Sequence, residues 1–584
     1  MKKIILFALL AVSMQLTAAE RTQGEMKDIA AQKLWAAAGV KGQRGGVNAQ
    51  NVRCIYEDDA LAVFEPQEAG AFVIVSKSDL ASPVIGYSQT DFVLQNAAPA
   101  LRWFLNAARQ TILKAEAEGT TLKTAAHYAS YQPVEPFITT LWHQNAPYNL
   151  KVLNQYPAGC MAIALAQCIN YCRYPSNVNF KGYAWYKSKS SSKYTIDSID
   201  IKSTYFYPFL DTYGRASKGQ QNAVATLVRD CGYATYMDYA EEGSGTLMFY
   251  SGDALVNDFK YPEECIKYLD CDYSTPEEYY EIIYSELQMK CPIMFGAQDA
   301  NGSGGHAFVL CGIDNEGLVY VNWGWGGAAD GFYDISLLNP DDMEFSNGQH
   351  MVYGIRSTPL ENDHIITRIF SYSGEAYTFR LGTEKDDNGK EHQTLYADLP
   401  YGFINFNAST FKGVFGVFAE DLTDGTSWII SEELQDPIEL PSISGYYGNS
   451  KDYEEFYFYY YIDGEEGLKP GHTYRMSFGC RDDREGVWHS ILSIYGGELA
   501  YDIHYTGDLA TTTIDEELKP VPVLDAINNV TADRSAESSN MTVVYDAMGR
   551  IVYSAPTAHF NLWDVPARGI LLVKQGKQVR KVVR

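Results

Sequence analysis

Tyr156-Pro157-Ala158-Gly159-Cys160-Met161-Ala162-Ile163 is the stretch on which the reading of this chain turns. Pro157 and Gly159 close a loop, and an unbroken apolar run then predicts a helix from Cys160 to Cys172. A thiol in the first turn of a helix feels the positive end of the backbone dipole and unpaired N–H groups. Both favour thiolate over thiol, and the same donors can hold an oxyanion. The plainer reading is a buried core cysteine of the kind Cys168 suggests. A nucleophilic cysteine needs an imidazole, which can lie far away in the chain.

Of ten histidines, His306 is set apart by Gly302-Ser303-Gly304-Gly305-His306-Ala307-Phe308-Val309-Leu310. Glycines deliver it to the start of an apolar strand, where its backbone is fixed and its ring can face a cleft. It follows Cys160 by 146 positions (306 minus 160), a separation that suits a general base contributed by a second part of the fold. Downstream comes Val321-Asn322-Trp323-Gly324-Trp325-Gly326-Gly327. Asn322 could accept a hydrogen bond from the imidazole, while the tryptophans shield it from water. Trp325, with Gly159 and Gly305, would line the cleft; the bland alternative is a Trp-rich packing loop. In Trp142-His143-Gln144-Asn145 the Gln144 amide could donate to an oxyanion. His143 is a rival base without the glycine-framed strand.

Around this centre the chain divides by pattern. Lys2 and Lys3, the apolar run Ile4–Val12 and Thr17-Ala18-Ala19 predict a signal peptide over 1–19, too short in its apolar part to span a membrane. Residues 20–133 read as a small α+β unit: helices over Met26–Ala38 and Leu101–Ala117, strands at Ala71–Val75 and Val84–Tyr87. Residues 134–358 place helices first (Cys160–Cys172, Gln221–Asp230, Pro276–Lys290) and strands later (Ile293–Phe295, Ala307–Cys311, Leu318–Val321). That order argues for an α+β domain. Residues 359–525 hold short alternating runs between Gly, Asp and Asn, as in a β-sandwich. Residues 526–540 are a polar linker, and 541–584 return to strands and end on basic residues.

A net charge of −27 and the lack of a basic patch exclude nucleic acid as a partner, and no segment predicts a transmembrane span. Eight of the ten cysteines fall between Cys160 and Cys311, which is not the spread of a disulfide framework. Cys168 and Cys172 stand at helical spacing, but no second pair follows to complete a metal site. Neither metal nor organic cofactor is expected.

Taken together, the Gln144–Asn149 stretch, Gly159-Cys160 with Ala162 and Ala166-Gln167, Gly304–Val309, and Val321–Gly327 with Asp330-Gly331-Phe332 resemble the streptopain family of papain-like cysteine proteases. The resemblance implies a papain-like fold, Cys160 as nucleophile, His306 as base and acid, and Gln144 in the oxyanion hole. It also implies that the acceptor for His306 is supplied at the Asn-Trp step, by either the Trp323 backbone carbonyl or the Asn322 side chain. One departure from papain itself is Met161 directly after the nucleophile. Ala71–Ser76, Pro83–Tyr87 and Leu101–Phe104 are similar to the family's inhibitory propeptide, with cleavage expected between residues 118 and 135. Val543–Asp546, Gly549-Arg550 and the basic end are similar to C-terminal sorting domains of type IX secretion.

The expected protein is therefore a secreted or surface-exposed cysteine endopeptidase made as a zymogen. Its partners would be protein or peptide substrates, its own propeptide, and secretion machinery. Two rivals are an acyltransferase or amidase of the same fold acting on cell-wall peptides, and an adhesin that binds through its β domains with a vestigial protease domain.

Overall fold

The computed structural model describes residues 19–37, 49–68, 70–92, 99–122, 132–187, 194–207, 216–270, 276–298, 305–338, 349–360 and 363. Beyond these it describes 369–371, 378–398, 403–405, 407–431, 437–442, 445–446, 457–464, 467–484, 486, 488–493 and 500–515, and four strands between 541 and 583. The expected leader up to Ala18, the Gly302–Gly304 lead-in and the linker at 526–540 lie outside the described residues.

The chain forms two compact units. One comprises residues 1–137, 299–304 and 310–346; the other comprises 138–298, 305–309 and 347–584. In chain order the elements are α1 (Gln23–Ala37), β1 (Val52–Glu57), β2 (Leu61–Pro66), β3 (Phe72–Ser76), β4 (Val84–Ser88), α2 (Pro99–Glu118) and α3 (Cys160–Cys172). Next are β5 (Asn177–Lys187), β6 (Tyr194–Thr204), α4 (Lys218–Ala234), β7 (Asp238–Tyr239), α5 (Phe249–Asp253), β8 (Lys267–Asp270), α6 (Pro276–Gln288) and β9 (Ile293–Gln298). Then come β10 (Gly305–Ile313), β11 (Val319–Asn322), β12 (Gly331–Tyr333) and β13 (His350–Tyr353).

In the first unit the N-terminal strands run antiparallel in the order β1-β2-β3-β4, and the sheet continues into β12 and β11. Strand β4 pairs with β12 antiparallel, Ser88 opposite Gly331, Tyr87 opposite Phe332 and Gly86 opposite Tyr333. Met26, Ala30, Ala31 and Leu34 repeat at helical spacing on α1, and they bury against Phe64, Val73, Val75 and Leu318. The amphipathic face of α1 thus closes one side of a sheet drawn from two distant parts of the sequence. Gly86 leaves room for the Tyr333 ring, whose edge would lie 2.7 Å from an added Cβ.

In the second unit α3 is buried over most of its length. Here β8, β13 and β9 pair side by side, and a separate sheet has the order β6-β5-β7. Helix α4 begins three residues before the periodic run that predicted it, because Ser217 and Gln220 form a reciprocal capping box. A buried ionic cluster ties the segment after β13 to α6: the Arg356 guanidinium meets Glu286 at 3.0 Å and is bidentate on Asp363. From Ile369 to Asp515 every described element is a strand, arranged in sheets that share a core of Phe379, Leu395, Phe415, Val417, Phe478, Ile491 and Ile503. The four strands from Met541 to Val583 form a further antiparallel sheet. Nine described cysteines are free thiols.

Candidate active site

Gly159 caps α3 with a positive φ of 87°, a conformation that disfavours any side chain. A Cβ there would also meet the Met237 thioether at 2.7 Å. Glycine therefore lets the loop turn sharply enough to set Cys160 as the first residue of the helix. The amide of Ala158 donates to the Gln144 carbonyl at 2.9 Å, which ties the Gln144 loop to the loop that carries the nucleophile. That second loop is braced by Asn149, whose side chain donates to the carbonyls of Gln155 and Tyr156. Trp142 and Tyr148 are buried beneath it.

Strand β10 brings His306 to this point. Its neighbour's amide, Ala307 N–H, donates to Cys160 Sγ at 3.4 Å. Burial alone would push the Cys160 thiol up. The His306 imidazole beside it, the hydrogen bond between the two side chains, and the amides of Ala307 and Met161 outweigh burial and hold it below its ordinary value. The pair is therefore a thiol biased toward thiolate next to an imidazole that can take and return its proton. Phe295 and Phe308 pack behind it, and Gly296 leaves space for Met248, whose Cε would lie 2.6 Å from an added Cβ. His143 does not share this environment: its Nδ1 accepts from the Asn145 amide, and burial lowers its basicity.

Asn322, Trp323 and Trp325 belong to the other compact unit, where they form a closed loop after β11. Asn322 Oδ1 accepts from the Gly324 amide at 3.1 Å. Trp323 is fully buried; its amide donates to Asp330 Oδ1 at 2.9 Å and its indole N–H to the Ala329 carbonyl at 3.0 Å. Trp325 is partly exposed. Thus Cys160, His306 and the Gln144 loop come together in one unit, while the Asn-Trp loop is built as a rigid element in the other.

Three contributors were given no role in the sequence reading. The Ala307 amide is a backbone group, and Met237 acts through its contact with Gly159. Asp330, whose carboxyl burial pushes up to about 7, is a lone carboxylate whose partner lies seven positions back. For a metal, the described residues offer one grouping of carboxylates and imidazole, Asp421, Asp424 and His472, far along the chain among the later strands. Its charge is already met from within: Lys469 pairs with Asp424 at 2.6 Å and His472 Nδ1 lies 2.7 Å from Asp421.

The family profile described as the Peptidase C10 family matches residues 142–333, a span that holds Gln144, Cys160, His306 and the Asn322–Trp325 loop. Streptopain of Streptococcus pyogenes is 28% identical over 312 residues, covering 49% of this chain and 77% of that protein. The thiol protease/hemagglutinin PrtT of Porphyromonas gingivalis is 27% identical over 346 residues, which is 53% of this chain and 38% of that protein. Among solved structures, a fragment of Prevotella intermedia prointerpain A is 32% identical, with a TM-score of 0.48, over 53% of this chain and 99% of that one. The active interpain A cysteine protease is 35% identical, with a TM-score of 0.35, over 39% and 97%. Among the described residues no helix is long and apolar enough to cross a membrane.

Proposed function

This chain belongs to the peptidase C10 family and is a cysteine peptidase, and from that premise we propose that it is an exported endopeptidase held latent by its own N-terminal segment. The observation that carries the reading is the Cys160 thiol at the start of α3, lowered by His306 and contacted by the Ala307 amide. Thiolate Cys160 attacks a peptide carbonyl, forming the C–S bond while the carbonyl electrons move to oxygen. The Cys160 amide and the Gln144 side chain stabilise that oxyanion, a role supported for Gln144 by the tie between its loop and Ala158. The imidazolium of His306 protonates the leaving amine. Water, deprotonated by the same ring, then releases the acyl group and regenerates the thiol. Asn322 and Trp323 are assigned to orienting His306, and Trp325, Gly159 and Gly305 to lining the cleft, on the strength of their motifs.

Latency is assigned to residues 20–133. Support comes from the pairing of β4 with β12, which fastens that segment to the peptidase part of the chain, and from Lys33, which is seated on Asp314 at 3.1 Å and Glu316 at 3.0 Å. The remaining assignments rest on sequence: a leader over 1–19, a peptidase domain over 134–358, a β-sandwich over 359–525 and a type IX sorting domain over 541–584.

The test follows the full-length chain beside its Cys160→Ala variant, reading self-processing by mass and casein hydrolysis by fluorescence, with and without a thiol alkylator. The expected result is that only the parent sheds its N-terminal segment and cleaves casein, and that alkylation stops both. If the parent stays whole, and the chain from residue 134 onward is also inert, proteolysis by this centre is refuted.

A further inference from the structure

We propose that the edge of β12, together with Asp314 and Glu316, is a second docking site for protein substrates, taking an extended segment that carries a basic side chain. The proposal rests on the reading that the N-terminal segment is removed from the active enzyme.

The seat is already visible because the chain fills it with its own residues. Strand β4 lies antiparallel on β12 over three residue pairs. The fit depends on Gly331: an added Cβ would lie 2.3 Å from the Tyr87 carbonyl oxygen and 2.9 Å from the Ser88 side chain. Because the closest of these atoms is backbone, no rotamer change relieves the clash, so this position is built for the close approach of another strand. Side chains add selectivity. Tyr87 stacks on Phe332 with ring centroids 5.1 Å apart, and its hydroxyl donates to Asp314 at 3.1 Å. Ser88 donates to the Asp330 carbonyl at 2.6 Å. The cation comes from Lys33, which bridges Asp314 and Glu316 and lies 4.3 Å from the centre of the Tyr87 ring.

Departure of residues 20–133 opens all of this at once. The β12 edge is left with unpaired backbone groups, and unpaired edges take extended peptides by strand addition. The Asp314 carboxylate loses both its cation and its hydroxyl donor but keeps the amides of Glu316 and Leu318, so it stays held in place. The freed site is thus a short sheet edge, an exposed aromatic face on Phe332, and two carboxylates. Its complement is an extended segment with an aromatic residue and a nearby lysine or arginine. An unfolded protein substrate presents such segments, whereas a short peptide spanning only the cleavage site does not.

The test uses the full chain after self-processing and two fluorescent peptides with the same cleavable core. One carries in addition a tail repeating residues 83–88 between two lysines. The tail is expected to lower KM about five-fold at unchanged kcat, the size of a few edge hydrogen bonds and one partly exposed ion pair. The advantage should shrink in high salt, vanish when the tail lysines become glutamates, and fall most of the way in Glu316→Gln and in Asp314→Asn. The untailed peptide should be cut equally by all forms. Asp314→Asn keeps an oxygen for the turn amides, and Glu316 is half-exposed, so neither change should unfold the chain.

Equal KM for both peptides in the parent, or a tail advantage that survives both substitutions, overturns the proposal. So does self-association of the processed chain through this edge with no response to the tail. If the processed chain cuts neither peptide, the peptidase reading has failed separately. Docking is then decided by fluorescence anisotropy of the tail alone, where absence of saturable binding rejects it.

Discussion

Replacing Lys33 by Met isolates the contact that fastens the N-terminal segment to the rest of its unit, because Met keeps the apolar stem and removes only the charge. Lys33 is about nine-tenths buried, and so is Asp314. Removing one partner of a buried ion pair typically costs about 3–5 kcal/mol, since the other charge is left stranded. Here Asp314 is not fully stranded: it keeps the Tyr87 hydroxyl at 3.1 Å and two turn amides. That brings the loss from this pair to roughly 1.5–2 kcal/mol. The half-exposed Glu316 adds at most about 0.5 kcal/mol, and the cation over the Tyr87 ring about 0.5 kcal/mol more. The expected local destabilisation is therefore about 2–3 kcal/mol, a rise of roughly thirty- to 150-fold in opening of the α1–β4 region. Amide hydrogen exchange reads this directly in a Cys160→Ala background, with Val73, Val75 and Tyr87 as reporters and Phe478, in the later sheets, as the control. Lys33→Arg should restore most of the protection. A change below about three-fold at the reporters, or equal loss at the control, would show that the ion pair does not hold the segment, contrary to the magnitudes used here.

Further outcomes follow from the same geometry. Alkylation of Cys160 should reach half its limiting rate below the ordinary thiol range of about 8.5, and His306→Ala should move that midpoint upward because burial then acts with less opposition. Gly159→Ala must place a methyl against Met237 and the Ser244 carbonyl at a positive φ; kcat should fall at least about ten-fold and stability by about 1–2 kcal/mol, read by peptide hydrolysis and thermal melting. Arg356→Met should destabilise the second unit by about 3–5 kcal/mol by taking the guanidinium from Glu286 and leaving Asp363 with Lys267 at 3.6 Å as its cation, measured by urea unfolding followed at the unit's tryptophans. Burial would raise Asp363, but its bonds to Arg356 and the Leu360 amide bring it to about 2, below its unfolded value. Its contribution is therefore present above about pH 4 and lost as pH falls toward 2, and that acid-dependent step should largely disappear from the melting curves of Arg356→Met.

The meeting of Cys160 with His306 was legible because a glycine directly precedes each of them. Gly159 at φ 87° precedes Cys160, and Gly305 opens the strand that carries His306. Helix α3 was read from Cys160 to Cys172, its observed limits, since an uninterrupted apolar run leaves no other register. The hairpin of β5 and β6 escaped notice for the opposite reason. Buried Val178, Phe180 and Ala184 alternate as a strand should, but Gly182 sits between them, and the facing strand is charged and mostly exposed. Longer-range features left no local trace at all. Lys33 meets Asp314 across 281 positions, and in sequence Asp314 looks like no more than a turn residue, a role it also fills through the amides of Glu316 and Leu318.

Periodicity identifies a strand but not its neighbour, so the N-terminal segment reads as a separate α+β unit although β4 pairs with β12. The residue that permits this pairing is Gly331, directly after the carboxylate that holds Trp323. A side chain at 331 would separate the two strands, and one at 330 without an acceptor would release the Trp323 amide. Two adjacent residues thus serve different tasks: Asp330 fixes the loop from within, and Gly331 admits a strand from outside. Stripping β4 from β12 would then act on a strand whose first residue, Gly331, is one peptide bond from the Asp330 carboxylate that accepts from the Trp323 amide.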